Sequence, residues 1–207
     1  MQQLEELKKI VKKRMRKNDV AHDFEHILRV YNNAKKIGKQ EKADMKILLT
    51  AVLLHDTVSF PKSDKQSKNS STKSAFHARK ILRKLHYPQK EITIISEAIK
   101  DHSFSKNKIP QTLEGKILQD ADRLDAIGAI GIARAFATGG ADNRPLYNQN
   151  DPFCSYRKLN DNKWTLDHFY KKLLVLEKKM NTKAARTEAS QRTKIIKNFL
   201  KYLKKEI

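Results

Sequence analysis

Hydrophobic positions recur three and four apart along almost the whole chain, and that spacing predicts helices rather than strands. Over residues 2–17 the apolar stripe is Leu4, Leu7, Ile10, Val11 and Met15, and Asn18 or Asp19 breaks it. Residues 22–39 repeat the pattern through Phe24, Ile27, Val30, Tyr31, Ala34 and Ile37, with Gly38 near the end, where helices commonly stop. Residues 43–55 are nearly continuous apolar after Asp44, as a helix buried on all sides would be. Ser, Lys, Asn and Pro61 fill residues 57–73, which reads as a loop of the kind that grips substrates over a rigid scaffold. Helices follow over 74–85 and, opened by Pro88, over 89–101. Thr112 is placed to cap the next, with Glu114 in its first turn where a carboxylate suits the helix dipole, and this helix runs to Ala126. Gly128 and Gly131 interrupt the pattern before the run from Ile132 to Ala137. Gly139-Gly140 begins a loop of roughly 24 residues, to about Lys163, and loops of that length are usually functional or disordered. Two last helices are expected over 165–180 and 184–205. Neither strand alternation nor an internal repeat is present. The expected fold is all-α, a single-domain helical bundle over 1–207.

Composition narrows the class. The 207 residues are 39% hydrophobic with only 6 Gly and 5 Pro, which favours a folded helical protein with a sizeable core. No apolar stretch reaches the ~18 residues that span a bilayer. The start, Met1-Gln2-Gln3-Leu4-Glu5, lacks a signal peptide's basic and apolar regions. The single cysteine, Cys154, fits a reducing cytoplasm, and no CxxC is available for structural zinc or an iron–sulfur cluster. Net charge is +21 at pH 7, so the surface attracts anions such as nucleotides, nucleic acid or acidic lipid. The lysines are spread along the chain and densest at its ends, not interleaved with aromatic residues as on a base-stacking surface. Lys-rich decoration of solvated helix faces accounts for that distribution. A nucleic-acid partner therefore ranks below a small anion, and a membrane partner has only the basic ends in its favour. A homodimer is compatible with the pattern, although no coiled-coil heptad specifies one.

Three segments carry candidate chemistry. His55-Asp56 closes the apolar run from Ile47 to Leu54, and burying a carboxylate is costly unless it is paired or binds a metal. Neighbours on a helix point about 100° apart, so both reach one ion only if the helix ends there or presents its edge. Otherwise Asp56 caps the next turn and His55 bonds a backbone carbonyl. Upstream, His22 and His26 share a helix face, with Arg29 one turn beyond His26. They are a metal pair or two ordinary histidines. Downstream, Asp120, Asp122, Arg123 and Asp125 sit among apolar Ile117, Leu118, Ala121, Leu124 and Ile127, as part of a polar site or as a surface ladder. Two His and two Asp from three helices could form one mixed nitrogen–oxygen metal site.

Together these segments resemble the HD-domain superfamily of metal-dependent phosphohydrolases, whose signature H…HD…D falls on His26, His55-Asp56 and Asp122. The runs from His22 to Val30, Asp101 to Ser105, Glu114 to Lys116, Gln119 to Arg134 and His168 to Leu174 are similar to motifs of one bacterial branch. The resemblance covers about residues 18–203, with the metal-site core over about 18–135 and C-terminal helices over about 165–205. It implies a divalent metal held by His26, His55, Asp56 and Asp122, with His55, Asp56 and Asp122 serving catalysis. It also implies hydrolysis of a phosphoric ester or anhydride. Members of that branch cleave nucleoside triphosphates between the α and β phosphates, often with manganese. The expected activity is thus a nucleoside triphosphate pyrophosphohydrolase, giving nucleoside monophosphate and pyrophosphate through a metal-activated water. A phosphomonoesterase or cyclic-nucleotide phosphodiesterase on the same site is the alternative within the class, and a basic nucleic-acid-binding helical protein is the alternative outside it.

Ligand chemistry is compatible. Two imidazoles and two carboxylates suit manganese, and also magnesium, cobalt, nickel or iron, and leave positions open for water and a phosphate oxygen. Lys62, Arg29, His102 and Arg123 are the candidates for holding the substrate's phosphates, Lys62 by its place just after the His–Asp pair. Asp23 or Asp125 could orient a ligand histidine. The pair is followed by Thr57-Val58-Ser59-Phe60 with no Glu, and Asp64 comes only later, so the general acid/base is unassigned. His77 and His102 could hold a second ion, but a single metal with His102 bonding phosphate or closing the pocket is the favoured reading, and His86 and His168 read as structural. Gly139-Gly140 is no phosphate cradle, because the lysine and strand context are missing. Phe136, Tyr147, Phe153 and Trp164 read as core or loop anchors.

Overall fold

Where the apolar repeat is strongest, the chain is helical. The computed structural model describes residues 2–15, 23–60 and 65–207. Its α-helices are α1 (Gln2–Arg14), α2 (Phe24–Gln40), α3 (Met45–Leu54), α4 (Ser70–Lys84), α5 (Gln89–Asp101), α6 (Leu113–Asp125), α7 (Gly128–Ala141), α8 (Leu174–Leu176) and α9 (Lys183–Glu206). The described residues contain no strand, and none of their helices is long and apolar enough to cross a membrane. His22, Lys62 and Asp64 lie outside the described residues. The chain divides into two units, Met1–Asp122 and Arg123–Ile207.

In the first unit α3 is the axis. It is buried from Ile47 to Leu54, which is why it has no polar face. α1, α2 and α5 pack on it, and α4 packs on α5. Leu48, Leu53 and Leu54 are fully buried, each worth ~1.5–3 kcal/mol by removal from water. Helix starts are fixed by carboxylates and hydroxyls. Asp44 accepts from the N–H groups of Lys46 at 2.9 Å and Ile47 at 3.1 Å, and Thr112 accepts from Gly115 at 3.1 Å. Glu114 accepts from the Asp44 N–H at 3.0 Å, which joins the start of α6 to the cap of α3. The expected 57–73 loop is shorter than its composition suggests. A 3-10 turn covers Lys65–Asn69 and α4 begins at Ser70. Ser74 pins the chain after the His–Asp pair, accepting from the Val58 N–H at 3.0 Å and donating to its carbonyl at 3.1 Å.

In the second unit α7 runs straight through Gly139-Gly140, so the loop expected from that pair starts after it. Gly139 is glycine for another reason: a Cβ there would stand 2.2 Å from the Thr165 hydroxyl oxygen. The stretch expected as one helix over 165–180 is a π turn over Phe169–Leu173, then α8, then a 3-10 turn over Glu177–Lys179. Phe136, Phe169 and Phe199 cluster with ring centroids 5.6–5.9 Å apart, so Phe136 is a core anchor. The long loop is held by its own acids. Asp151 accepts from the N–H groups of Ser155, Tyr156 and Arg157 at 2.8–3.2 Å, and buried Asp167 takes both arms of the Arg157 guanidinium at 2.7 and 2.6 Å. Arg157 also lies over the Trp164 ring at 4.2 Å. Burial and the Asp167 carboxylate push the Cys154 thiol up to about 11, which removes it as a nucleophile near neutral pH.

Candidate metal centre

Because α3 ends at Leu54, with His55 as its C-cap, adjacent His55 and Asp56 turn toward the same point. His55 is fully buried. Its Nδ1 donates to the Val52 carbonyl at 2.7 Å, so the lone pair is on Nε2. The backbone bond that a purely structural histidine would make is therefore also what aims this one as a ligand. That Nε2 is buried and has no hydrogen-bond partner among the described residues. Such an orphaned acceptor costs stability unless something fills the position beside it.

His26 comes from the first turn of α2, whose start Asp23 fixes by accepting from the His26 backbone N–H at 2.8 Å. The His26 ring is 1% exposed. Its Nε2 stands 3.7 Å from Asp56 Oδ2 and 3.6 Å from Asp122 Oδ1, and His55 Nε2 stands 3.8 Å from Asp56 Oδ2. Ligand atoms of His26, His55 and Asp56 all lie within 4.8 Å of one another. These separations are too long for hydrogen bonds. They match atoms that share one ion, since ligands at ~2.1 Å from a common centre stand about 3–4 Å apart. The residues thus fit a divalent metal, which His26, His55 and Asp56 could hold together, with Asp122 beside His26 as a fourth candidate donor. Burial raises the Asp122 carboxyl, but His26, His102 and His55 around it outweigh that and hold it below the ordinary carboxylate value.

His102, the C-cap of α5, joins the same group. Its Nδ1 bonds the Ile99 carbonyl at 2.6 Å, and its Nε2 lies 3.8 Å from Asp56 Oδ1, the oxygen on the side away from the other two histidines' contacts. The rings of His55 and His102 meet edge to face at 5.0 Å. Burial, with His55 adding to it, holds the His102 imidazole below its ordinary value, against the pull of Asp56 and Asp122. Sequence reasoning missed what holds His102 in place. The fully buried Gln119 amide donates to the carbonyls of Lys108 at 2.8 Å, His102 at 3.2 Å and Asp101 at 3.3 Å. The signal was present as a polar amide directly after the buried Ile117-Leu118 pair.

Other expected residues are placed differently. Arg29 is half-buried on α2, three positions after His26 and so on the same side of the helix. Arg123 is 7% exposed and donates from Nη1 to the Lys179 carbonyl within the second unit. Asp125 takes the Arg134 guanidinium at 2.7 Å, and Asp23 serves as the helix cap already described. His77 is on α4 and pairs with Arg14 at 2.6 Å, outside the His26–His55–Asp56 group. His168 pairs with Asp161 at 3.1 Å.

This geometry coincides with a known family. The HD domain family matches residues 23–127, more than half the chain and the span that holds all four donors. The chain belongs to the HD domain family. It is a metal-dependent phosphohydrolase of that superfamily. It is 34% identical over 211 residues to the Bacillus subtilis (strain 168) protein YpgQ, covering 100% of this chain and 95% of that one. The crystal structure of Bacillus subtilis YpgQ in complex with ADP superposes with a TM-score of 0.77 at 32% identity, over 99% of this chain and 97% of that one. A crystal structure of an HD-superfamily hydrolase from Bacillus thuringiensis gives a TM-score of 0.76 at 34% identity, over 99% and 96%.

Proposed function

We propose that this HD-domain enzyme is a nucleoside triphosphate pyrophosphohydrolase that uses one divalent ion, manganese foremost, bound by His26, His55, Asp56 and Asp122. The observation that carries the reading is the convergence of these four donors around the buried, unpartnered Nε2 of His55. A bound ion there supplies positive charge to a phosphate oxygen and lowers the pKa of a coordinated water toward neutrality. Val52 and Ile99 carbonyls fix the tautomers of His55 and His102, so both rings present a lone pair to the site. Asp56 faces His26 and His55 with one oxygen and His102 with the other. Its charge would offset that of a bound ion. His102, held neutral by burial, presents its Nε2 lone pair beside Asp56, where it is placed to accept a proton from water. The nucleotide part of the reading rests on the relative YpgQ, which has been crystallised with ADP.

The test is product analysis over a panel of ribo- and deoxyribonucleoside triphosphates with added manganese. Pyrophosphate and nucleoside monophosphate as the products support the reading. Orthophosphate and nucleoside diphosphate as the products move the assignment to a terminal phosphatase, and orthophosphate from added nucleoside monophosphates moves it to a phosphomonoesterase. Absence of turnover in folded, metal-loaded protein overturns the nucleotide assignment.

A further inference from the structure

A concavity in the first unit takes part of its wall from Thr57, Val58 and Ser59, the residues that follow the His–Asp pair in the chain. It has a volume of about 570 Å³ and is lined by Arg14, Thr57, Val58, Ser59, Lys73, Phe76 and His77. That size suits a small-molecule ligand or a large part of one. Thr57 directly follows Asp56, so the cleft wall begins one residue from the metal cluster. Among the described residues the lining carries two fixed cations and no carboxylate.

The walls are braced. Ser74 holds the Val58 backbone from α4. Arg14 Nε donates to the Thr57 carbonyl at 3.3 Å, and Arg14 Nη2 lies 2.6 Å from His77 Nδ1. Since the guanidinium can only donate, His77 is the acceptor and is unprotonated at Nδ1. Burial, then Arg14 and Lys80, hold the His77 imidazole below its ordinary value. Lys73 bonds the Gln66 carbonyl oxygen at 2.5 Å and lies over the Phe60 ring at 4.5 Å. Among the described residues both cations are therefore held by neutral groups, with no carboxylate of the lining to offset their charge. Phe76 supplies an apolar edge that is 57% exposed. Fixed positive charge, braced and concave, selects an anion over a neutral ligand, and the wall that carries Thr57 continues the chain from Asp56. A guanidinium and an ammonium together suit several phosphate oxygens better than one carboxylate.

We infer that this cleft is the subsite for the β and γ phosphates of the substrate, with Arg14 and Lys73 as the residues that recognise chain length. The inference rests on the pyrophosphohydrolase reading for its place in the reaction, but the anion site itself does not. It makes the enzyme select triphosphates over monophosphates through charge, leaving the base as a lesser determinant.

The experiment uses the full-length chain and two probes, inorganic tripolyphosphate and orthophosphate, with Arg14→Gln, Lys73→Gln and the double variant. Calorimetric titration of the Asp56→Asn protein, in which the metal centre is impaired, reads the cleft apart from turnover. Tripolyphosphate is expected to bind that protein far more tightly than orthophosphate. Each cleft substitution should raise its Kd about tenfold, the weight of one charge-assisted bond. In the metal-loaded enzyme the same substitutions should raise KM for a triphosphate about tenfold and leave kcat within about threefold. Lys73 is exposed, so Lys73→Gln tests the cleft without a folding risk, and thermal melts check Arg14→Gln. Tripolyphosphate affinity equal in the wild type and the double variant overturns the inference. Failure of turnover with the tripolyphosphate result intact would instead count against the pyrophosphohydrolase reading alone.

Discussion

At the scale of single residues, the site depends on two backbone hydrogen bonds and one amide. Val52 and Ile99 carbonyls orient His55 and His102, and Gln119 holds the segment that carries His102. Gln119→Leu leaves buried carbonyls without a donor and should cost about 2–4 kcal/mol. The denaturation midpoint should fall accordingly. Turnover should drop while metal affinity stays near the wild-type value, because none of the four donors is touched. His77 gives a pH signature. Its folded value is lowered, so the fold favours the neutral ring. The stabilisation is present above the ordinary value of ~6.5 and is lost as pH falls below it. Between pH 8 and pH 5 the wild type should lose more melting temperature than His77→Asn, and equal losses would contradict the Arg14–His77 pairing. Of the candidate site, His55 and Asp56 were legible as the polar end of an apolar run, and His26 and Asp122 through the family resemblance. Arg14, Lys73 and Gln119 were not, because a cation or amide in a helical pattern looks like any surface position until its neighbours in space are known.

At the scale of elements, helix endings matter more than helix interiors. α3 stops where two neighbouring ligands must converge, and α5 stops at His102. The join between α6 and α7 is equally constrained. Gly128 has φ +78°, and a Cβ on Gly131 would stand 2.2 Å from the Ala126 carbonyl oxygen. Gly131→Ala must move backbone and should cost about 3 kcal/mol, seen as a fall of roughly 5–10 °C in Tm. A change of less than a degree would show that the turn is not this tight. Helical periodicity made most elements readable, from the stripe of α2 to the unbroken apolar face of α3. It failed at Gly139-Gly140, where glycine serves close approach to Thr165 rather than a break. It failed again at residues 65–73, where Ser and Lys are as compatible with a helix start as with a loop.

At the scale of the whole molecule, charge and chemistry point to the same ligand class. A net charge of +21 draws polyanions toward the enzyme before any specific contact forms. Screening shortens that reach to about 8 Å at physiological ionic strength, so KM for a triphosphate should rise with added salt while kcat changes little. A KM independent of salt would mean that the basic surface plays no part in capture.

The central claim is that the His26, His55, Asp56 and Asp122 cluster directs water to the α phosphorus of a nucleotide. The most direct measurement is manganese-dependent turnover of a nucleoside triphosphate in ¹⁸O-labelled water, followed by phosphorus NMR, for the wild type and Asp56→Asn. The expected result is label in the nucleoside monophosphate, unlabelled pyrophosphate, and neither product from the variant. Label appearing in orthophosphate, or undiminished turnover by Asp56→Asn, would contradict it.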